Sequence, residues 1–177
     1  AKTLFPYTTL FRSCPLTEAN LGDGIFDGQH YLAADGKFGV GSDSNVLIDA
    51  AEELRLLEYG QRLVLRSRNA FASTSTPSTG RRLFEGALAG GGQALGGASG
   101  IAVGAPADLV SLHAGDTALV HRRHDQWLDG WIFAGRHSLV DCVWRAGRKL
   151  VTGGRHVRRE EIGRRYRQTL ARMLQDA

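Results

Sequence analysis

The sequence predicts an α/β fold: the end of a strand-and-helix unit, then a small β-rich module and a C-terminal helix. Three observations carry this reading. A short apolar run at residues 38–41 stops at Ser42-Asp43-Ser44, as a buried parallel strand does where it meets a polar loop. Two helix-length segments follow, at 49–66 and 81–95. Beyond Gly100 the texture changes to short strand-like runs, until a helical period returns over 158–174.

Each element has a local cause. Residues 14–36 are dense in turn formers (Cys14-Pro15, Asn20, Gly22-Asp23-Gly24, Asp27-Gly28, Asp35-Gly36) and predict a long, ordered surface loop. Asp49, with Glu52 three residues on, forms an N-terminal capping pattern, and Leu54, Leu57, Tyr59 and Leu63 broadly follow helical spacing behind it. The Ser/Thr-rich connection at 72–80 leads to a second helix that can begin at Ser78 or Thr79. That helix contains Gly90-Gly91-Gly92, each glycine costing about 1 kcal/mol of helix propensity relative to alanine, so the run predicts close packing there. It is no phosphate loop, because no Lys-Ser/Thr pair follows it.

Residues 107–112, 131–134 and 140–145 read as strands. Val140, Cys142 and Trp144 fall on one face, and a turn at Ala146-Gly147 returns the chain through Lys149 to Val151. In the last helix Ile162, Tyr166, Leu170 and Met173 form an apolar stripe expected to dock on the body. Trp127, Trp131 and Trp144 are expected in the core or at an interface of the β module.

Composition narrows the class. With 42% hydrophobic and 23% charged residues, the 177-residue chain is an ordinary globular sequence, and no apolar stretch reaches membrane-spanning length. Its two cysteines, Cys14 and Cys142, are far apart and form no CxxC, which suits a reducing cytoplasm. The net charge of +4 is a property of the tail: residues 145–177 hold ten Lys and Arg against three Asp and Glu. Those arginines could meet an acidic partner or nucleic acid, but no aromatic interleaving or nucleic-acid motif accompanies them, so a solvated helix face is the expected reading.

The first residues stand apart. Residues 3–13 read TLFPYTTLFRS, with no helical or strand period and no signal-peptide layout. The string matches the in-frame translation of a widely used sequencing-adapter oligonucleotide, so residues 1–13 are expected to be non-native and the fold to start at Cys14.

One segment stands out chemically, VGSDSN at 40–45. A carboxylate where a buried strand meets a loop sits at the mouth of a parallel α/β barrel, where it can ligate a metal and accept a proton. Taken alone, these six residues more commonly cap a turn or the next helix.

A wider pattern favours the first reading. CPLTEANLGDGIF at 14–26, GKFGVGSDSNV at 36–46 and EELRLLEYGQRL at 52–63 resemble the end of the barrel in formimidoylglutamate deiminases of the amidohydrolase superfamily. GIAVGAPADLVSL at 100–112 and VDCVWRAGRKLVTGGRHV at 140–157 resemble the small β-sandwich that closes those proteins. The resemblance implies the C-terminal part of a TIM-like (β/α)8 metal-dependent hydrolase: residues 14–99 as the last strands and helices of the barrel, 100–157 as the sandwich module and 158–177 as a basic amphipathic helix. It implies that Asp43 binds one Zn²⁺ and acts as general base, in an enzyme hydrolysing N-formimidoyl-L-glutamate to N-formyl-L-glutamate and ammonia. The substrate is a small molecule, and the intact parent is expected in the cytoplasm, with a homodimer as its expected assembly.

Guanine, triazine and nucleoside deaminases share a barrel-end Asp and a similar closing module, so the substrate stays open at this point. The family's HxH pair and its further histidine ligands are absent. His30, His113, His121, His124, His137 and His156 include no HxH, so the chain alone is expected to bind no catalytic zinc and to be inactive.

Overall fold

The run around Phe38 does form a strand. In a computed structural model, which describes residues 10–97, 99–136 and 138–175, β1 (Leu10–Ser13) and β2 (Lys37–Val40) pair in parallel, with Leu10 opposite Lys37 and Ser13 opposite Val40. Residues 1–9 of the segment set aside above, Ala98, His137 and the last two residues lie outside the described residues. Four residues of the 1–13 segment are thus a strand, contrary to the aperiodic reading. Four residues are too few for a period to show, and the neighbouring ladder supplies the order instead.

Parallel strands need a crossover, and residues 14–36 provide it. This stretch is not the loop its turn formers suggested, because it contains two short helices, α1 (Pro15–Leu21) and α2 (Gly28–Ala33). Proline at the first helical position and Gly22 at φ 76° after the last are the usual start and stop of a helix. Asp27 caps α2 by accepting from the His30 amide.

Two long helices cover β2. Helix α3 (Ala50–Leu65) starts as its capping pattern predicts, with Asp49 accepting from the amides of Ala51 (2.8 Å) and Glu52 (3.3 Å). The Glu52 carboxylate pairs with Arg55. Helix α4 (Thr79–Ala94) is capped by Ser78, whose hydroxyl accepts from the Arg81 amide. Of the three consecutive glycines in α4, Gly90 has the close approach expected: a Cβ there would lie 2.0 Å from the Phe38 carbonyl oxygen, so α4 rests directly on the β2 backbone. The core between these layers is Phe38, Leu54, Leu57, Phe71, Leu83 and Ile132.

Ile132 marks another departure from expectation. Residues 131–134 form no strand; a short helix α5 (Gln126–Asp129) continues into a π-helical turn (Gly130–Ala134), closed by the Gly135 amide on the Gly130 carbonyl. A four-residue apolar run is compatible with either state, and burial decided it. Arg55 holds the end of this turn, donating to the carbonyls of Ile132 (2.6 Å) and Gly135 (2.7 Å). Trp131 packs against this same core.

The chain divides into two compact units at places other than residue 100. The first holds residues up to 105 and 115–136, and the second holds 106–114 and 138–175. Residues 115–136 thus pack with the helices that precede them.

The second unit is a four-stranded antiparallel sheet in the order β3 (Leu109–Leu112), β4 (Val140–Arg145), β5 (Arg148–Thr152), β6 (Arg155–His156). Its β4–β5 hairpin turns at Ala146 (φ 49°) and Gly147 (φ 76°), the two left-handed residues a tight hairpin requires. Asp108 clamps that turn, accepting from the Ala146 amide and from Arg145, and these two contacts hold its carboxyl below the usual range. A bulge between Val143 and Trp144 breaks the alternation expected along β4.

Helix α6 (Arg159–Gln175) follows, and its stripe is not docked. Ile162, Tyr166 and Met173 are 49%, 64% and 65% exposed. Local ion pairs such as Arg158–Glu161 (2.9 Å) bind its first turn, and none of its residues is buried. Among the described residues no helix is long and apolar enough to cross a membrane.

Candidate functional site

Asp43 lies three residues beyond the C-terminal end of β2, in a four-residue turn. The Asn45 amide donates to the Ser42 carbonyl (2.8 Å), and the Ser42 hydroxyl donates to Asn45 Oδ1 (2.8 Å). Asp43 occupies the first central position with φ 38°, a left-handed conformation uncommon for non-glycine residues and favoured among them by Asp and Asn in turns. Its carboxylate is half exposed, and Arg12 Nη2 stands 4.0 Å from Oδ2. Both partners are open to water, so this contact contributes little.

Behind the turn lies a set of groups that the turn-rich reading of 14–36 did not single out. Thr17, buried on α1, bonds through Oγ1 to the Ser42 carbonyl (3.3 Å), the Ser44 amide (3.3 Å) and Ser44 Oγ (3.0 Å). Glu18 accepts from the Cys14 amide (2.7 Å) and from Ser13 Oγ (3.1 Å). Glu53, reaching over from α3 and 2% exposed, accepts from the Leu16 amide (2.9 Å). Burial pushes the Glu53 carboxyl up, the Leu16 amide opposes this, and the charge of Glu18 adds to it. The Cys14 thiol is also raised, first by burial, with Arg12 opposing and the carboxylates of Asp43, Glu53 and Glu18 adding. The Pro15 start signal, the acid in the first turn and the Gly22 stop were the marks in the sequence that could have revealed α1 and its anchors.

The histidines stay apart. His30 pairs with Asp27 at 2.7 Å in the open, and His156 accepts from the Arg158 amide. His121 and His124 are exposed in left-handed turns. Among the described residues no three His, Cys, Asp or Glu side chains come together in a way that could hold a metal. Asp43 has the chemistry of a zinc ligand, but a tight zinc site takes three or four protein donors, and the described residues do not complete that set. An apolar groove of about 350 Å³ between α1 and α3, lined by Pro15, Ala19, Ile25, Phe26, Leu57 and Leu63 among others, does not include Asp43.

No family profile matches the chain. It is 48% identical over 162 residues to the formimidoylglutamate deiminase of Pseudomonas aeruginosa, a match covering 91% of this chain and 36% of that protein. The crystal structure of an amidohydrolase from Brucella melitensis superposes with a TM-score of 0.84 at 49% identity, over 93% of this chain and 36% of that one. A zinc-bound adenosine deaminase from Xanthomonas campestris has the same fold, with a TM-score of 0.73 at 21% identity over 92% of this chain. The chain therefore spans about a third of the length of these relatives. The parallel strand pair with its covering helices and the separate antiparallel sheet are pieces of the fold they share, and the chain belongs to the amidohydrolase superfamily as a segment related to formimidoylglutamate deiminase.

Proposed function

We propose that this chain is part of a zinc-dependent deiminase that hydrolyses N-formimidoyl-L-glutamate to N-formyl-L-glutamate and ammonia, a step of histidine breakdown. The reading is supported by the 48% identity to an enzyme of that name, together with one structural observation: an accessible carboxylate, Asp43, standing just past the C-terminal end of a parallel strand. In this proposal Asp43 supplies one oxygen donor to the zinc ion and serves as the base. Bound zinc would supply a nucleophilic oxygen near neutral pH. Asp43 takes a proton from the attacking water and delivers it to the imino nitrogen, and then carries the adduct's remaining hydroxyl proton to the same nitrogen. The water oxygen becomes the formyl oxygen, the bond from carbon to that nitrogen breaks, and ammonia leaves.

One carboxylate is not a zinc site, so the proposal includes that the 177-residue chain alone is inactive. A small-molecule substrate, a cytoplasmic location and a homodimeric parent belong to the same reading; the two cysteines, both free, agree with a reducing compartment.

The test joins this chain to the remaining two-thirds of the Pseudomonas relative and measures ammonia release from formimidoylglutamate, guanine and a triazine. Release from formimidoylglutamate that Asp43→Asn abolishes is the expected result. Full activity of Asp43→Asn, or preference for guanine or the triazine, would overturn the assignment.

A further inference from the structure

We propose that Thr17 is a positioning residue for Asp43, setting the carboxylate's direction by clasping the turn from both sides. The inference rests on the reading of Asp43 given above.

The hydrogen-bonding capacity of a threonine hydroxyl is one donor and two acceptor sites. At Thr17 all three are used. The hydroxyl donates to the Ser42 carbonyl at 3.3 Å and accepts from the Ser44 amide at 3.3 Å, and it shares a hydrogen bond with the Ser44 hydroxyl at 3.0 Å in which either oxygen can donate. The residues it holds are the two that flank Asp43, so one buried atom fixes the peptide groups on either side of the carboxylate-bearing residue. Asp43 is in a left-handed conformation, one that aspartate tolerates in turns and that the two flanking contacts stabilise here.

The clasp has a firm base. Helix α1, seven residues or about two turns long, could not stay in place by itself. Two carboxylates pin its start: Glu18 on the Cys14 amide and Ser13 hydroxyl, and Glu53, from α3, on the Leu16 amide. Thr17 follows directly and is 3% exposed, so its hydroxyl is shielded from competing water. The Asp43 side chain is half exposed, and among the described residues Arg12 stands 4.0 Å from it. Its direction is therefore set through the backbone.

The experiment uses the joined enzyme described above, with Thr17→Val, Thr17→Ser and Asp43→Asn. Valine keeps the shape and removes the hydroxyl. We expect Thr17→Val to lower kcat by roughly ten- to a hundredfold with KM little changed, as a misplaced reacting group does. Thr17→Ser, which keeps the hydroxyl, should restore kcat to within about threefold. If Asp43→Asn is silent, the underlying reading of Asp43 falls. If Asp43→Asn is inactive while folded Thr17→Val keeps its kcat, only the positioning role falls. A residue of purely structural importance would lower the yield of folded enzyme and leave kcat per folded molecule unchanged, which would also overturn the proposal. Should Thr17→Val not fold, Ser44→Ala removes one strand of the clasp from an exposed position. A fall of about threefold in its kcat sustains the inference, and no fall overturns it.

Discussion

Replacing Glu58 by alanine removes the acceptor that ties α3 to the loop after it. Glu58 is fully buried, and its carboxylate accepts from the amides of Ala70 (2.8 Å) and Phe71 (3.0 Å) and from Arg62 Nε (2.6 Å). Ala70 and Phe71 are themselves buried, so water cannot easily replace the lost carboxylate. Each orphaned amide costs about 1–3 kcal/mol. Breaking a buried charge pair by deleting one partner costs about 3–5 kcal/mol, part of which overlaps the amide cost. A net loss of about 4 kcal/mol is the expected order, which corresponds to a fall of roughly 10–20 °C in the melting temperature of a unit this size.

Glu58→Gln refines the test. Its single carbonyl oxygen can serve one amide, but its NH₂ must then face another donor, so a smaller loss of about 2 kcal/mol is expected. Thermal melts followed by circular dichroism give the ranking, and amide exchange at Ala70 and Phe71 shows whether the loop loosens first. A Glu58→Ala melt within about 2 °C of the native chain would falsify the reasoning, since it would mean that the buried amides find other partners.

Glu53 predicts a pH dependence. Its carboxyl is raised above the ordinary value of 4.5, so the folded chain holds a proton that the unfolded chain releases first. Its contribution is therefore fully present below that value and declines as pH rises toward the folded value. In urea titrations at several pH values, the stability gap between the native chain and Glu53→Gln should shrink as pH rises through this window, and a constant gap would count against the assignment. Gly90→Ala should destabilise severely, because its Cβ would meet the Phe38 carbonyl at 2.0 Å, whereas Gly91→Ala, with nothing within 4 Å, should stabilise the chain by about 1 kcal/mol. Equal melting shifts for the two would contradict the packing of α4 on β2. Arg12→Ala should leave the melt unchanged, since its contact with Asp43 is long and exposed, and a clear loss would show that the pair contributes more than its geometry suggests.

Much of the local structure was legible in the chain itself, because it rests on interactions between near neighbours. The Asp49 cap, the start of α4 at Ser78, the hairpin at Ala146-Gly147 and the period of α6 are all set by residues within four positions of one another. The resemblance to the deiminases was legible too, since the motifs that carry it are contiguous strings, and it directed attention to Asp43.

What only the tertiary structure decided depends on groups far apart in sequence. The apolar run at 131–134 became helical because Ile132 is buried in the core and Arg55 donates to the carbonyls at the end of the turn, a choice no four-residue pattern contains. Helix α1 was hidden among turn formers because one of its anchors, Glu53, lies 37 residues away from the amide it holds. The α6 stripe has a helical period whether or not anything covers it, and its exposure is a fact of packing alone. Likewise Thr17 and Ser44 are 27 residues apart, and only folding brings the hydroxyl of one against the amide of the other. Sequence fixes what each segment can form, because those free energies are local; which surfaces meet is settled by burial summed over the whole unit.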